Sequence, residues 1–195
     1  MITGFLSPKL TQSNKTENKQ QKEKTKKIKM ASKNTHTVPH RRRREGKTNY
    51  KKRLRLLTSK KKRLVIRKTN TRIIAQIVDY KPEGDKIITS ADSSQLRKFS
   101  WQYSGKNTIA AYLVGYLVGK KALKQKVNEA IVDIGLISPI KGSKIYAVVK
   151  GAIDAGLKVN AGEVFPSEER IKGKHINFDE NIFNKIKSDI DSTHA

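Results

Sequence analysis

The chain has 195 residues, and its 43 Lys and Arg against 17 Asp and Glu give a formal net charge of +26. Hydrophobic residues make up 35%, enough for one small core, and the absence of cysteine excludes disulfide and thiolate chemistry. The longest apolar run, IAAYLVGYLV at 109–118, is about half of the ~20 residues that a membrane span requires.

The charge is concentrated near the N-terminus. Residues 1–72 hold 25 Lys and Arg with three acidic residues, whereas the remainder holds 18 with 14. Such a field suits a polyanion, because neutralising phosphates releases counterions. Nucleic acid is therefore the expected partner, ahead of an anionic membrane surface. The opening MITGFLSPKL does not read as a signal peptide, so a cytoplasmic protein is expected.

Two segments precede the first predicted strand. Residues 1–37 have few large apolar side chains and are predicted to be a disordered, Lys-rich extension. Met30 could be an alternative start, so whether 1–29 are a genuine extension stays open. Residues 38–62 form a basic arm, in which KTNYKKRLRLLT (47–58) places Tyr50, Leu54 and Leu57 on one stripe. That spacing predicts a short basic helix.

An antiparallel hairpin is predicted next, because RLVIRKTN and TRIIAQIVDY alternate with period two around Asn70. Its inward face is expected to contain Leu64, Ile66, Ile73, Ala75 and Ile77. Its outward face is expected to contain Arg63, Arg67, Thr69, Arg72 and Gln76. KPEGD then predicts a turn into a third strand, DKIITSA.

The remaining elements alternate helix and strand. Asp92 can cap a short helix at 93–99, and Asn107 or Thr108 can cap a longer one ending near Lys124. AIVDIGL predicts a strand, and residues 143–155 predict a helix that ends at Gly156. FPSEERIKGKH reads as a polar connection. NFDENIFNKIKSDI predicts a last helix, with a buried side formed by Phe178, Ile182, Phe183 and Ile186.

The order βββαβα predicts a single small α/β domain at 63–177, with a basic extended N-terminal arm. A three-stranded antiparallel meander, one further strand and packed helices would form it. Residues 178–195 would add a C-terminal helix and tail.

No pattern indicates a catalytic centre, metal site or cofactor. The histidines at 36 and 40 are too few for a structural metal, which needs about four ligands. A two-metal nuclease would need a carboxylate set such as Asp79, Asp92, Asp133 and Asp154. The first strand has no acid where the metal would sit, so turn, cap and helix roles explain these residues better. SGKNT is only a fragment of a phosphate loop, and one phosphate contact at the N-terminus of the following helix is all that it predicts.

Several segments together resemble a known family. They are RRRREGKTNYKKRLRLLTSKKKRLVIRKTNTRIIAQI, LRKFSWQYSGKNTIAAYLVGYLVGKKAL, VDIGL, KGSKIYAVVKGAIDAGL and FPSEERIKGKHI. Their order and spacing over about 38–177 resemble large-subunit ribosomal protein eighteen, the 5S rRNA-binding family, in its archaeal form. Residues 1–29 have no counterpart in that pattern, and Ile109 stands where the family commonly has proline.

The resemblance implies a structural protein of the central protuberance that helps attach 5S rRNA to the large-subunit rRNA. Neighbouring large-subunit ribosomal proteins would be further partners, and no catalytic activity, cofactor, small-molecule substrate or membrane is implied. A general RNA chaperone or basic nucleic-acid packaging protein remains the alternative, followed by a nuclease of similar fold.

The resemblance also implies rRNA contacts on three segments. Those on the arm are Arg41, Arg42, Arg43, Arg44, Lys47, Tyr50, Lys51, Lys52, Arg53 and Arg55. Those on the hairpin, facing 5S rRNA, are Arg63, Arg67, Lys68, Asn70, Arg72 and Gln76. Those on the KGSK loop are Lys141, Ser143 and Lys144. Arginine suits bidentate phosphate contacts, and Tyr50 could stack on an unpaired base.

Overall fold

The computed structural model describes residues 38–176 and 178–194. Contacts divide the chain into two units between Arg44 and Glu45, and each is described by itself. In the first unit, the described part contains one helical turn, α1 (Arg41–Arg44), whose last two backbone N–H groups donate to the His40 carbonyl. The disorder predicted for residues 1–37 concerns a segment outside the described residues.

The second unit opens with the predicted basic helix, α2 (Tyr50–Thr58). The Asn49 side chain caps it by accepting a hydrogen bond from the Lys52 backbone N–H at 3.1 Å. The helix is confirmed, but the stripe of Tyr50, Leu54 and Leu57 is not its buried side as a whole. Leu54 is 68% exposed, whereas Leu56 and Leu57 are half-buried.

Five strands form one mixed sheet in the order β3-β2-β1-β4-β5. Their bounds are β1 (Arg63–Lys68), β2 (Ile73–Asp79), β3 (Lys86–Asp92), β4 (Glu129–Asp133) and β5 (Lys158–Val159). The first three form the predicted antiparallel meander, while β4 pairs parallel to both β1 and β5. The two-residue β5 was not predicted, because it is too short to show a period.

Capped helices connect these strands. A 3-10 helix (Ser93–Phe99) follows the Asp92 cap, and α3 (Thr108–Lys124) follows Asn107, whose side chain accepts from the Ala110 N–H at 2.6 Å. The first turn of α3 therefore forms with Ile109 at the position where the family that the sequence resembles commonly has proline. A further helix, α4 (Lys144–Asp154), is followed at Gly156 by a positive φ of 106°, as the sequence predicted.

The C-terminal part contains more helix than the sequence predicted. FPSEERIKGKH is not only a connection, because it forms α5 (Glu168–Lys172), with Ile171 buried, and a 3-10 turn (Lys174–Ile176). The last helix is α6 (Glu180–His194). Phe183 and Ile186 are buried on it as predicted, together with Ile190, while Ile182 is half-buried. The half-buried Phe178 precedes the helix.

The core lies between one face of the sheet and the pair α3 and α4. The five residues predicted on the inward face of the hairpin are all buried. Along α3 every residue from Thr108 to Gly119 is buried, because the helix packs against the sheet, α4 and α6. Gly115 and Gly151 let the helix backbones touch, since a Cβ on Gly115 would overlap the Val148 carbonyl and one on Gly151 the Tyr112 carbonyl.

The other face of β1 carries an ion-pair network of Arg53, Asp85, Arg63, Asp133 and Arg67. Nη2 of Arg63 lies 2.7 Å from Oδ2 of Asp85, and Nη1 lies 3.1 Å from Oδ2 of Asp133. Asp85 also accepts from Nη2 of Arg53 at 2.9 and 3.0 Å. The network therefore joins α2, the β2–β3 turn, β1 and β4.

The prediction that Arg63 faces outward is wrong, because only 2% of its side chain is exposed. Period-two alternation assigned it correctly to the face opposite Leu64. That face is not open, since α2 approaches it through Arg53 and Val78 opposite Arg63 is also buried. A charged side chain fits there because two carboxylates compensate its burial.

Replacing Gly115 with alanine should destabilise the fold by about 1–3 kcal/mol, because the added methyl group overpacks the α3–α4 contact. The measurement is the free energy of unfolding from urea titration. Gly162→Ala is the matched control, since a Cβ there has no neighbour within 4 Å. Equal stability of the two variants would contradict backbone contact between the helices.

Replacing Arg63 with methionine should cost about 3–5 kcal/mol, because it removes the nearer cation from the buried Asp133 carboxylate and leaves only the longer contact with Arg67. Burial raises the pKa of Asp85, but hydrogen bonds from Arg63 and Arg53 outweigh this and hold that pKa below its ordinary value. The resulting stabilisation is present above the ordinary Asp pKa of about 3.9 and is lost as pH falls through the lower folded value.

Urea titrations between pH 7 and pH 3 measure both effects. The matched control is Arg55→Met, since Arg55 is exposed on α2 and its replacement should change stability by no more than about 0.5 kcal/mol. The Arg63 variant should also lose less stability on acidification than the parent protein. A parent-like stability and acid response would show that the network does not hold the fold.

Candidate RNA-binding surface

The basic helix α2 has two kinds of cation. Lys52 and Arg53 turn toward the body, where Nζ of Lys52 donates to the Gly135 carbonyl at 2.9 Å and Arg53 donates to Asp85. Lys51 and Arg55 lie one helical turn apart and are exposed. The inward cations hold α2 in place, so that the outward pair is presented from a fixed helix.

The other predicted contacts on this segment differ in exposure. Lys47 is exposed, and its Nζ lies 2.9 Å from Oε2 of Glu45. Tyr50 is 37% exposed, and Leu54 lies on the same open side of α2. The outward side of the helix thus offers cations beside an aromatic ring and an aliphatic side chain.

Arg67, predicted to face RNA, is largely engaged within the protein. Its Nη1 donates to the carbonyl oxygens of Ile66 and Asp133, each at 2.8 Å, and Nη2 lies 3.4 Å from Oδ1 of Asp133. The side chain remains 43% exposed. Gly135 has a positive φ of 64°, and a Cβ there would lie 3.1 Å from the guanidinium carbon of Arg67. Arg67 therefore stabilises the end of the sheet where β1 and β4 finish, and part of its side chain remains open to solvent.

The hairpin turn presents the more accessible groups. Lys68, Asn70 and Arg72 are exposed, whereas Gln76 is half-buried within β2. Thr69 fixes the turn, because its Oγ1 donates to the Arg72 carbonyl at 3.0 Å and accepts from the Arg72 N–H at 2.9 Å. The exposed part of the predicted hairpin surface is thus mainly its tip.

A group of cations lies where β1 ends and α3 and α4 begin. Burial lowers the pKa of Lys144, and the neighbouring charges of Lys106, Lys68 and Arg170 lower it further. Lys141 is exposed beside them in sequence, and Ser143 precedes α4 without making a side-chain cap hydrogen bond. Mutual repulsion of this kind is relieved by an anion, so the group is suited to phosphate.

Lys106 and Arg170 were not among the predicted contacts. Lys106 belongs to SGKNT, which the sequence marked only as a possible single phosphate contact. Arg170 lies in α5, which was read as a connection. Arg170 could have been predicted as a contact if α5 had been recognised as a helix. The buried Ile171 fixes the orientation of α5 and therefore of the residues next to Ile171.

Three of the four carboxylates considered for a nuclease have other roles. Asp92 caps the 3-10 helix, Asp133 belongs to the ion-pair network, and Asp154 accepts from the Tyr112 hydroxyl at 2.8 Å and pairs with Lys150. Within residues 38–176 and 178–194, no three His, Asp or Glu side chains are grouped to hold a metal ion. No helix in these ranges is long and apolar enough to cross a membrane.

Comparison with known proteins agrees with the resemblance seen in the sequence. The model of a family described as ribosomal large subunit proteins 60S L5 and 50S L18 matches residues 33–130. The large ribosomal subunit protein uL18 of Korarchaeum cryptofilum (strain OPF8) is 51% identical over 148 residues, which cover 75% of this chain and 76% of the relative. The uL18 protein of Thermofilum pendens (strain DSM 2475 / Hrk 5) is 54% identical over 140 residues, 71% of each chain. The chain therefore belongs to this family of large-subunit ribosomal proteins, and its role is structural and not catalytic.

Proposed function

We propose that the protein binds 5S rRNA and helps attach it to the large-subunit rRNA in the central protuberance. The observation that carries the proposal is that the cations around α2 fall into two groups, one engaged within the protein and one exposed. Lys52, Arg53 and Arg63 hold α2 against the sheet, whereas Lys51 and Arg55 remain exposed on its other side. Charges held in fixed positions bind a folded RNA with a smaller entropy loss than a flexible tail.

The proposed contact surface consists of cations on three segments of the second unit, all exposed except the half-buried Lys144. They are Lys47, Lys51 and Arg55 on or beside α2, Lys68 and Arg72 at the hairpin tip, and Lys141 and Lys144 at the start of α4. Tyr50 and Asn70 add a stacking ring and an amide, and Ser143 adds a hydroxyl. Lys52, Arg53, Arg63, Arg67 and Gln76 would act by positioning these groups. Phosphates and 2′-hydroxyls of A-form RNA are the expected targets, so recognition is mainly of shape.

The run Arg41–Arg44 would add a second source of positive charge. All four side chains are exposed in the described part of the first unit. We infer that residues 38–62 act as an RNA-binding arm and residues 63–177 as the rRNA-binding domain. Helix α6 would complete the domain through packing on α3, where the Tyr116 hydroxyl donates to Asp191 at 2.7 Å.

The purified protein should bind 5S rRNA one-to-one and prefer it to tRNA at about 150–200 mM salt, where non-specific phosphate binding weakens steeply. The measurement is a competition titration with labelled 5S rRNA and unlabelled tRNA, followed by chemical footprinting of the complex. Equal competition by tRNA would favour the general RNA chaperone instead.

Replacing Lys51 and Arg55 together with alanine should flatten the slope of log K against log salt by about 1.5, at roughly 0.7–0.9 per phosphate neutralised. Circular dichroism should remain unchanged, because neither side chain is buried. The measurement is a salt titration of 5S rRNA binding.

The matched control replaces Lys124 and Lys185, which are exposed on α3 and α6, and removes the same charge. Its slope should stay close to that of the parent protein. An equal loss in both double variants would mean that only net charge matters and that α2 is not the contact surface.

A further inference from the structure

A cavity of about 380 Å³ opens beside the hairpin tip. Its walls come from the β1–β2 turn, the 3-10 helix Ser93–Phe99 and the segment that leads to α3, and they include Arg72, Arg97, Trp101 and Tyr103. Arg72 alone belongs to the surface proposed above. Arg97, Trp101 and Tyr103 extend that surface into a site that has both positive charge and aromatic rings.

The two arginines can accept an anion. Arg72 is 58% exposed and has one long ion pair, 3.5 Å from Nη1 to Oδ2 of Asp92. That distance exceeds the 2.7–2.9 Å typical of a charge-assisted hydrogen bond. Within residues 38–176 and 178–194, the exposed Arg97 side chain has no hydrogen bond or ion pair. A phosphate between them would gain two guanidinium partners at little cost to the fold.

The aromatic wall is held in position. The Tyr103 ring packs edge-on against Trp101, with centroids 5.3 Å apart, and against Phe178, with centroids 5.0 Å apart. Tyr103 is nevertheless 49% exposed. A supported ring with an open side, close to arginines, is the arrangement on which unpaired bases stack in single-stranded RNA sites.

The size and polarity of the cavity favour a nucleotide over the other ligands. Its volume lies near the lower end of the ~300–1,000 Å³ typical of small-molecule sites. This volume is larger than a lone phosphate requires. Gly105 keeps this space, because a Cβ there would lie 2.7 Å from Oγ of Ser93 in the same wall. The polar lining would leave an apolar peptide side chain poorly matched.

We propose that this cavity binds one unpaired RNA nucleotide, with its phosphate at Arg72 and Arg97 and its base against Tyr103. The inference rests on the proposed function to the extent that the nucleotide belongs to 5S rRNA. It adds single-strand recognition to a surface that otherwise recognises duplex shape and phosphates. A splayed base next to a helical segment would fix the register of the protein on the RNA.

Trp101 supplies a direct readout, because it is the only tryptophan in the chain and lies in the cavity wall. The probes are a single-stranded oligouridylate of about six nucleotides and intact 5S rRNA, each titrated against the full chain. The test variants are Arg97→Ala and Tyr103→Leu. Lys98→Ala is the matched control, because Lys98 is exposed on the same 3-10 helix and does not line the cavity.

The oligouridylate should change Trp101 fluorescence saturably. Tyr103→Leu should weaken its binding about tenfold, as expected for loss of one stacked base. Arg97→Ala should flatten the salt slope by about 0.7, the value for one phosphate on a single strand. Lys98→Ala should bind within about twofold of the parent, and Tyr103→Phe should retain binding because the ring remains.

Parent-like binding of both probes by folded Arg97→Ala and Tyr103→Leu variants would overturn the proposed site. If that occurred while 5S rRNA was still preferred to tRNA, the proposed function would stand without this cavity. Failure of the parent protein to prefer 5S rRNA, with oligouridylate binding still weakened in both variants, would instead support the cavity as a general single-strand site and overturn only the 5S rRNA assignment.

Discussion

The arrangement of the proposed RNA surface depends on the guanidinium of Arg63 and the two carboxylates beside it. Asp85 lies on the β2–β3 turn and Asp133 at the end of β4, so one buried side chain joins three segments that are distant in sequence. Through Asp85 the same network reaches Arg53 and fixes α2. Buried ion pairs often add little net stability compared with apolar packing. Here the gain is positional, because an apolar substitute could not bind Arg53 through Asp85.

Much of the strong positive charge in the described second unit is used internally. Lys52, Arg53, Arg63 and Arg67 donate to carboxylates or carbonyl oxygens of the protein, whereas Lys51 and Arg55 face outward. Adjacent positions on one helix thus differ in role, since a residue separation of one turns a side chain by about 100°. Counting cations would overestimate the number available to RNA.

The contact between α3 and α4 determines where the remaining cations meet. Close packing at Gly115 and Gly151 holds two parallel-running helices on one face of the sheet. Both helices precede strands that pair parallel to their neighbours, so both begin at the edge where β1 ends. Lys106 and Lys68 consequently lie within electrostatic reach of Lys144. A small core thereby brings charges from separate segments to one edge.

The sequence by itself determined the partner class and most of the elements. Charge concentrated in residues 1–72 indicates a polyanion, and period-two alternation correctly selected Leu64, Ile66 and Ile77 as core. Asp92 and Asn107 were identifiable as caps because capping is local chemistry.

Only the tertiary structure decided which side of each element is open. Alternation predicts that Arg63 lies opposite Leu64, but it contains no information about whether another helix covers that side. In α2, the apolar stripe was assigned to Leu54, yet Lys52 and Arg53 turn inward because Gly135 and Asp85, both distant in sequence, provide their acceptors. Arg170 likewise lies near Lys144 because of contacts between segments that are distant in sequence. Local periodicity specifies a residue's direction on its own element, whereas burial and pairing depend on contacts between residues that are far apart in the chain.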